Sequence, residues 1–573
     1  MNRSSAPILL LLAACATAGT KGAAVEAPRG PNTTYDLVIA HARIVDGTGN
    51  PWFFGDVAVR GDYIVRVTPS GALDNETATT RVDAHGLVLA PGFIDLQGQS
   101  DSALLVGDGR DVSKITQGVT TEILGEGTTP APVNAKILAT IPASDTMDRR
   151  VRSAFSGSHG FGNWLLAMEH HRNSVNVGSF LGAATVRVYA KGEATGAARA
   201  AELDTMRVVV RRAMEDGAFG IASALIYPPG SFAGTDELAE MSKAMAPYHG
   251  VYITHMRSEE NTLLEAMDEA LAIGRRGGVP VEIYHLKAAG PRNWSKAPAM
   301  VAKIDSARGA GQDVGATMYP YSASGNNLSA CLPQWASADG KLLANLKDSA
   351  TRARIIRDAT EMSPNALDLC QTVGPDRIMV VGLLTPALKH YDGWRLDKIA
   401  ATMNKPWAEA LVEIVIAEDN KTGKITFSMT DENVTMQLVR PWVLIGTDAD
   451  GTDPDSSRDI VHPRGYGSYP KILGRYVREQ HLLTLEDAVR KMTSGVAARL
   501  SLFDRGLIRE GMFADLVLFD PATVIDHATF EKPHQLSTGI IDVWVNGVQV
   551  LRNGVPTGLK PGVAVRGPGW NGE

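Results

Sequence analysis

The stretch from residue 90 to residue 127 constrains the fold more than any other part of the sequence. Residues 91–101 read as an apolar strand that ends in polar side chains, and residues 118–127 read as a second such strand with Glu126 at its carboxyl end. A helical stretch separates the two. This order is typical of the start of a parallel barrel, whose active site is built at the carboxyl ends of its strands. We therefore expect the functional residues to lie at the carboxyl ends of the strands.

Apolar strands and amphipathic helices continue to alternate through the centre of the chain. The predicted strands are residues 93–96, 121–124, 175–181, 220–224, 251–254, 281–284, 316–319 and 442–447. Eight strands are what a closed barrel of this kind requires. Helical periodicity over residues 202–215 and 262–276 predicts part of its outer ring. The predicted fold class is therefore α/β, a (β/α)8 TIM barrel over residues 91–500.

Strand-rich segments stand at both ends of this barrel. Residues 34–90 and residues 501–573 contain short β runs between turn residues, with a hairpin signal at Asn546-Gly547. We expect the two segments to form one small β-sandwich. The wide gap between the seventh and eighth strands predicts a structured insertion before the last barrel strand, at about residues 334–428. Its action as a lid over the site is a hypothesis.

The N-terminus has the pattern of an export signal. Arg3 precedes an apolar run at residues 6–14, which is too short to span a bilayer but suits a secretory signal. We predict a signal peptide at residues 1–19, a linker at residues 20–33, and a periplasmic or secreted protein. The Leu-Ala-Ala-Cys run ending at Cys15 is also similar to a lipoprotein processing site, which would place a lipid anchor there. Cleavage after Ala16 or Ala18 is the alternative.

Charge and cysteine content narrow the possible partners and cross-links. The net charge of -7 gives no support to nucleic acid as a partner. Beyond Cys15, the chain has Cys331 and Cys370, and two cysteines in so long a chain do not make a disulfide framework. We expect both to be buried apolar residues. The sequence does not specify an oligomeric state.

Histidines directly follow two consecutive predicted strands. His255 ends Tyr-Ile-Thr-His, and His285 ends Glu-Ile-Tyr-His. Imidazole nitrogens from adjacent strand ends can converge on one Zn²⁺ ion. Glu126 lies between two glycines that let the backbone bend and bring its carboxylate inward as a third ligand. The alternatives are two hydrogen-bonded histidines at the edge of the core and a solvated loop glutamate.

Asp448 follows the last predicted strand. A carboxylate beside a metal can take a proton from the bound water and deliver it to the leaving amine. The alternatives are a helix cap or turn, because residues 448–455 are rich in aspartate, and calcium binding by this acidic loop. The loop lacks the spacing of an EF-hand.

Several motifs together carry a resemblance to a known family. Pro-Gly-Phe-Ile-Asp at residues 91–95 resembles the first barrel strand of the amidohydrolase superfamily. Further motifs follow in one order at residues 118–121, 254–257, 284–287, 319–321, 429–433, 447–448 and 462–467. Together they resemble the D-aminoacylase (N-acyl-D-amino-acid deacylase) family of amidohydrolases, over about residues 34–550.

The resemblance implies a role for each matching position. His255 and His285 match ligands of a tightly held zinc, and Glu126 stands where many members have a cysteine. Asp448 matches the catalytic aspartate. The positions that hold the substrate carboxylate and polarise the scissile carbonyl are matched by Lys287, Tyr227, Tyr319 and Arg464. The implied reaction is zinc-dependent hydrolysis of the amide bond of N-acyl amino acids of D configuration, which releases a carboxylate and the free amino acid.

Gln97 and Gln99 depart from the superfamily pattern, which has His-x-His here for a second metal. An amide oxygen is a poor Zn²⁺ ligand, so we expect this position to be empty or weakly held, with one zinc per chain. A dipeptidase or a cyclic-amide hydrolase using the same site is an alternative. Another is an exported binding protein that captures acylated ligands without turnover. The other expected ligands, together with Asp448 and Arg464, favour activity.

Overall fold

The structure is a computed structural model, and it describes residues 34–142, 145–361, 369–457 and 459–572. The predicted signal peptide at residues 1–19, the linker at residues 20–33 and Cys15 lie outside the described residues. Among the helices within those ranges, none has both the length and the apolar character to cross a bilayer.

Both ends of the described chain build one β domain. Its strands are β1 (Tyr35–Ile44), β2 (Phe53–Arg60), β3 (Tyr63–Pro69), β4 (Ala78–Asp83), β5 (Val88–Pro91), β18 (Leu516–Phe519), β19 (Ile540–Val545), β20 (Val548–Arg552) and β21 (Val555–Pro556). Hydrogen bonds join them in the order β21-β20-β19-β18-β5-β1-β2-β3, with β4 beside β1. Leu37 and Val57 share one buried core with Leu518 and Trp544, so side chains from the two ends pack together.

The centre of the chain is the expected parallel barrel. Its strands are β6 (Phe93–Asp95), β7 (Val119–Leu124), β8 (Asn176–Ser179), β9 (Leu181–Gly182), β10 (Gly220–Ala224), β11 (Val251–His255), β12 (Val281–Ile283), β13 (Val314–Met318) and β17 (Val443–Ile445). β8 and β9 together occupy one strand position of the barrel, and this strand is interrupted at Phe180. All neighbours pair in parallel, and a parallel bridge from Gly98 to Ala449 joins the last position to the first. The predicted fold class is confirmed.

Helices surround the barrel because their apolar residues fall on one face. They are α1 (Asp101–Val106), α2 (Val112–Ile115), α3 (Ala135–Thr140), α4 (Thr146–Ser153), α5 (Gly160–His171), α6 (Ala183–Lys191), α7 (Ala200–Glu215), α8 (Thr235–Met245), α9 (Leu263–Gly277), α10 (Ala297–Gly309), α16 (Asp431–Leu438), α17 (Arg464–Lys471), α18 (Leu485–Met492) and α19 (Ser494–Arg499). In α9, Leu263, Met267 and Leu271 recur every four residues and are buried. This spacing places them on the side that faces the barrel.

A buried lysine ties together three barrel strands just below their carboxyl ends. The Lys114 ammonium donates to Asp95 Oδ2 and Glu122 Oε2, each at 2.8 Å, and to Thr447 Oγ1 at 3.0 Å. Asp95 ends β6, Glu122 lies in β7, and Thr447 follows the end of β17 by two residues. Buried charges are tolerated when they are paired in this way. The network therefore sets the relative positions of the strand ends that carry Gln97, Glu126 and Asp448.

The insertion between the seventh and eighth barrel positions is a structured unit. It consists of the antiparallel strands β14 (Ser324–Asn327), β15 (Ile378–Val381) and β16 (Gly423–Thr426) and the helices α11 (Leu342–Lys347), α12 (Ser349–Thr360), α13 (Leu369–Val373), α14 (Leu396–Thr402) and α15 (Trp407–Ala417). It begins at Ser324, earlier than the expected residue 334, because β14 pairs with β16 almost a hundred residues later. Its helices pack around their own core, which includes Leu346 and Leu411.

The prediction for the two cysteines is wrong. Cys331 and Cys370, expected as unpaired buried residues, form a disulfide within the insertion, with their Cα atoms 5.1 Å apart. This separation lies within the ordinary range for a disulfide. Both side chains are buried, as expected. The sequence could not show the pairing, because the fold of the insertion brings together two residues that are 39 positions apart.

Candidate metal and active site

The predicted site residues meet in one cavity at the carboxyl ends of the barrel strands. The cavity has a volume of about 770 Å³, and Glu126, His255, His285 and Asp448 all line it. Strands of the insertion form part of its wall, with Gly325 from β14 and Lys424 from β16. A cavity of this size at this face of a barrel is the usual location of a binding site.

Glu126, His255 and His285 form a three-residue cluster. Glu126 Oε1 lies 3.1 Å from His255 Nδ1 and 3.2 Å from His285 Nε2. One ligand atom from each residue lies within 4.8 Å of the others. Ligands about 2 Å from a tetrahedral Zn²⁺ ion are roughly 3.4 Å apart, so the cluster fits this ion. Three protein ligands leave one coordination position for water or substrate, as a catalytic zinc requires.

The backbone turns sharply where these side chains point inward. Gly125 has φ +108° and Gly127 has φ +73°, which are conformations that favour glycine. A Cβ atom on Gly125 would lie 2.3 Å from the Phe180 carbonyl oxygen. His285 (φ 35°) and Asp448 (φ 52°) also adopt left-handed backbone. Strained backbone at non-glycine residues is concentrated at functional sites.

Glu259, which the sequence analysis missed, supports the histidine pair from behind. Its Oε1 lies 3.0 Å from His285 Nδ1, and its Oε2 lies 3.7 Å from His255 Nε2. Metal-binding histidines usually direct their second nitrogen to such a carboxylate, which fixes the orientation of the ring. The signal available in the sequence is a carboxylate four residues after His255. That signal is weak without knowledge of the loop that brings Glu259 back to the cavity.

Charges inside the cavity shift the protonation of the cluster. Burial by itself raises the pKa of Glu126, but His285 and His255 outweigh burial and hold that pKa well below its ordinary value. Burial and Lys287 lower the pKa of His285, whereas Glu259 and Glu126 raise it. The net result is a pKa of about 9. A metal ion must displace this proton in order to bind, so binding to the cluster releases protons.

Asp448 faces the cluster from the last barrel strand and is paired with Arg464. Asp448 Oδ2 lies 2.6 Å from Arg464 Nη1, and both side chains are buried. Burial raises the pKa of Asp448, Arg464 opposes this rise, and the charge of Glu126 adds to it. The carboxyl group is therefore poised to exchange a proton closer to neutral pH than an ordinary aspartate.

Tyr227, Lys287 and Arg464 line the same cavity, and Tyr319 lies beside Arg464. The Arg464 guanidinium lies over the Tyr319 ring, 4.6 Å from its centroid, and the buried Tyr319 hydroxyl has no hydrogen-bond partner among the described residues. The Tyr227 hydroxyl accepts a hydrogen bond from Asn326 Nδ2 at 2.8 Å. Lys287 Nζ lies 2.7 Å from Glu259 Oε1 and 2.6 Å from His285 Nδ1. Lys287 therefore contacts Glu259 and His285 and also lines the cavity.

Gln97 and Gln99 also lie in this site and contact its carboxylates. Gln97 Nε2 donates to Glu126 Oε2 at 2.7 Å, and Gln99 Nε2 donates to the same oxygen at 2.8 Å.

The motif at residues 429–433 is not among the residues that line the cavity. Its Thr430 hydroxyl accepts a hydrogen bond from the Asn433 backbone N–H and so caps α16.

Comparisons with known proteins agree with this arrangement. A model of the amidohydrolase family matches residues 441–551. A D-aminoacylase from Alcaligenes xylosoxydans xylosoxydans is 34% identical over 535 residues, which cover 92% of this chain and 97% of the relative. The crystal structure of N-acyl-D-glutamate deacylase from Bordetella bronchiseptica, complexed with zinc and a phosphonate mimic of the tetrahedral intermediate, is 30% identical, with a TM-score of 0.75 over 93% of this chain and 99% of that chain.

A solved D-aminoacylase structure concerns a binuclear metal center that shows one-metal activation and second-metal attenuation. It is 31% identical, with a TM-score of 0.75 over 93% of this chain and 100% of that chain. The identity to the Alcaligenes D-aminoacylase extends over almost the whole of both proteins. The chain therefore belongs to the D-aminoacylase family of the amidohydrolases.

Proposed function

We propose that the chain hydrolyses the amide bond of N-acyl-D-amino acids with one zinc ion, held by Glu126, His255 and His285. The observation that carries this proposal is the convergence of these three side chains with Asp448 in one buried cavity. The D configuration and the substrate class are supported by relatives that include a D-aminoacylase and deacylases of N-acyl-D-aspartate and N-acyl-D-glutamate.

Each residue of the cavity has a chemical task in this reaction. Zinc, when bound, supplies a positive charge that activates water and polarises the scissile carbonyl. Asp448 takes a proton from the attacking water and transfers it to the leaving amine, for which its raised pKa is suited. Arg464 provides the charge that binds the substrate carboxylate, and the same charge opposes the rise that burial causes in the pKa of Asp448.

In this proposal, Lys287, Tyr227 and Tyr319 donate hydrogen bonds to the substrate. The Tyr319 hydroxyl is buried beside Arg464 and has no hydrogen-bond partner among the described residues, and it is our candidate donor to a carboxylate or carbonyl oxygen. Burial raises the pKa of Tyr319 and of Tyr227 well above the ordinary value, so both phenols stay protonated and can donate at neutral pH. Donors held in place before the reaction stabilise the charge that develops on the carbonyl oxygen.

The test replaces Asp448 without disturbing the metal cluster. Asp448→Asn should lower kcat by about 100-fold or more, because the base is lost, while elemental analysis still finds one zinc per chain. Asp459→Asn is the matched control, since Asp459 lies at the cavity rim and pairs with Lys389. It should keep both zinc and activity. An unchanged rate in Asp448→Asn would refute the mechanism.

A substrate panel distinguishes the proposed reaction from its alternatives. N-acetyl-D-amino acids, their L enantiomers, dipeptides and hydantoins should be offered to protein of known zinc content. Turnover of the first group identifies the deacylase, and preference for dipeptides or hydantoins identifies the other hydrolases. Binding in a calorimeter without product in chromatography would identify a binding protein.

We also propose that the protein is exported to the periplasm or secreted. Support comes from the apolar run at residues 6–14 and from the Cys331–Cys370 disulfide, since structural disulfides persist in oxidising compartments. Fractionation of cells that produce the full chain should place it outside the cytoplasm. Membrane attachment that is lost in Cys15→Ser would indicate the lipid anchor, and attachment to no membrane would indicate ordinary cleavage.

A further inference from the structure

The two oxygens of the Glu126 carboxylate contact different sets of partners. Its Oε1 faces the imidazoles of His255 and His285, whereas its Oε2 accepts hydrogen bonds from the amides of Gln97 and Gln99. With Oε2 occupied by two donors, the carboxylate offers the metal one oxygen. The two glutamines therefore determine how Glu126 can act as a ligand.

The orientation of the Gln97 amide follows from its other contacts. The Thr317 hydroxyl oxygen accepts a hydrogen bond from the His285 backbone N–H at 2.9 Å, and the hydroxyl hydrogen is donated to Gln97 Oε1 at 3.0 Å. Thr317 donates to Gln97 Oε1, and the ionised Glu126 carboxylate can only accept, so both partners direct the NH₂ group of Gln97 to Glu126. Gln97 is 2% exposed, so these contacts are shielded from bulk solvent. The acceptor oxygen of this amide faces away from the carboxylates.

Gln99 links Glu126 to Asp448. Its Nε2 donates to Glu126 Oε2 at 2.8 Å and lies 3.2 Å from Asp448 Oδ1. Backbone hydrogen bonds hold the same segments together, because Asp448 N–H donates to the Gln97 carbonyl at 2.8 Å and Gln99 N–H donates to the Ala449 carbonyl at 3.1 Å. One amide NH₂ group thus stands between the proposed ligand and the proposed base.

This arrangement opposes a second metal ion on electrostatic grounds. A cation needs lone pairs directed at it, whereas Gln97 directs its NH₂ group at Glu126 and Gln99 directs its NH₂ group at both Glu126 and Asp448. Binding a cation there would require both amides to turn, which would break the contacts of Gln97 with Glu126 and Thr317. The N–H groups also carry partial positive charge. They therefore offset the repulsion between Glu126 and Asp448 without a metal.

We propose that Gln97 and Gln99 are positioning residues that take the place of a second metal ion. They hold Glu126 as a ligand through one oxygen, and Gln99 holds Asp448 for proton transfer. The chain accordingly works with one zinc and is not attenuated by excess metal, in contrast to what is described for the solved D-aminoacylase with a binuclear center. The catalytic part of this inference rests on the proposed function, whereas the metal stoichiometry does not.

The experiment measures zinc binding directly. Equilibrium dialysis followed by elemental analysis should find one zinc per wild-type chain, including in excess zinc. Gln99→Leu should still bind one zinc, but with affinity about 10- to 100-fold lower, because a partner that orients the ligand is lost. The double variant Gln97→His/Gln99→His should bind two zinc ions and lose activity in excess zinc. Gln334→Leu is the matched control, since Gln334 bonds the Ile226 carbonyl and does not contact Glu126.

A second readout separates positioning from structural support. Gln99→Leu should move the acidic limb of the kcat/KM pH profile to higher pH, because Asp448 loses a donor that favours its ionised form. Gln334→Leu should leave the limb in place. Two zinc ions on the wild-type chain, or unchanged zinc affinity in Gln99→Leu, would overturn the inference. A chain that binds one zinc but hydrolyses no N-acyl-D-amino acid would refute the proposed function, whereas the inferred metal stoichiometry would still hold.

Discussion

Asp448 shows how single residues are set for their task. It stands three residues after the end of β17, and its left-handed backbone (φ 52°) turns the side chain into the cavity. Arg464, Gln99 and the backbone contact to Gln97 fix it from three directions. The strained conformation persists because these contacts over-determine it. The protonation of Asp448 then depends on the balance between burial and the charge of Arg464.

Arg464→Gln tests that balance through the pH profile. Arg464 lowers the pKa of Asp448, so its loss should raise that pKa further above the ordinary value. Because Asp448 must be ionised to act as a base, the acidic limb of kcat/KM should move to higher pH, with weaker substrate binding as a separate effect on KM. Arg475→Gln, which removes a partly exposed arginine paired with Asp431, is the control. An acidic limb that does not move would contradict the role of Arg464.

At the scale of single elements, the turn after β7 places the ligand Glu126. The strand is buried along its whole length, and Gly125 and Gly127 allow the chain to bend directly at its end. The bend brings Glu126 opposite His255 and His285, which lie at the carboxyl ends of two neighbouring barrel strands. The geometry of the cluster therefore depends on backbone that other residues adopt only with strain.

Gly125→Ala should damage the metal site. The added Cβ would lie 2.3 Å from the Phe180 carbonyl oxygen, and φ +108° is unfavourable for alanine. We expect zinc affinity to fall about 10-fold or more as Glu126 shifts and the free energy of unfolding to fall by about 1–3 kcal/mol. Gly234→Ala is the control, because none of the described residues has an atom within 4 Å of its added Cβ. Zinc titration and urea unfolding measure both effects, and unchanged affinity in Gly125→Ala would be the contrary result.

The disulfide acts on the insertion as an element of its own. It closes a span of 39 residues, which corresponds to about 2–4 kcal/mol of stabilisation. Replacing both cysteines with alanine should reduce the hydrogen-exchange protection of α11, α12 and α15, while the barrel strands and the zinc content stay as they are. Exchange measured by mass spectrometry checks this prediction. Equal loss of protection in the barrel would show that the insertion is not an independent unit.

At the scale of the whole molecule, the end of the chain returns to the barrel. Beyond the β domain, Gly562 N–H donates to the Asn173 carbonyl and Val565 N–H donates to the Val177 carbonyl, each at 2.8 Å. Val565 is buried in the cluster that contains Ile94, Ile123 and Val251 from three barrel strands. The β domain and the barrel are thus joined by the last segment of the chain as well as through β5.

A chain that ends at Lys560 tests this connection. Loss of the buried Val565 side chain and of its backbone hydrogen bonds should lower the free energy of unfolding by about 3–5 kcal/mol. Urea unfolding measures the loss, and a chain that ends at Asn571 serves as the control. Activity at low temperature should persist in both chains, because none of the described residues that line the cavity belongs to the removed segment. Equal stability of the two truncated chains would show that the segment adds nothing to the fold.

The sequence by itself determined the features that local patterns encode. Strand periodicity and the polar residues at strand ends placed His255, His285, Glu126 and Asp448 at one face of a barrel, because parallel strands bring their carboxyl ends together. The two glycines around Glu126 marked the bend that the backbone adopts. The family resemblance supplied the expected roles of these residues and the expected zinc.

Only the tertiary structure decided the contacts between distant parts of the chain. The approach of Glu259 to His285, the Cys331–Cys370 pairing and the start of the insertion at Ser324 all depend on how loops return to the barrel. The sequence identified Gln97 and Gln99 as poor metal ligands, but their role as donors to Glu126 depends on the direction of each amide. Gln97 is oriented by a contact with Thr317 and Gln99 by a contact with Asp448, each more than two hundred residues away, and no local pattern can encode such contacts.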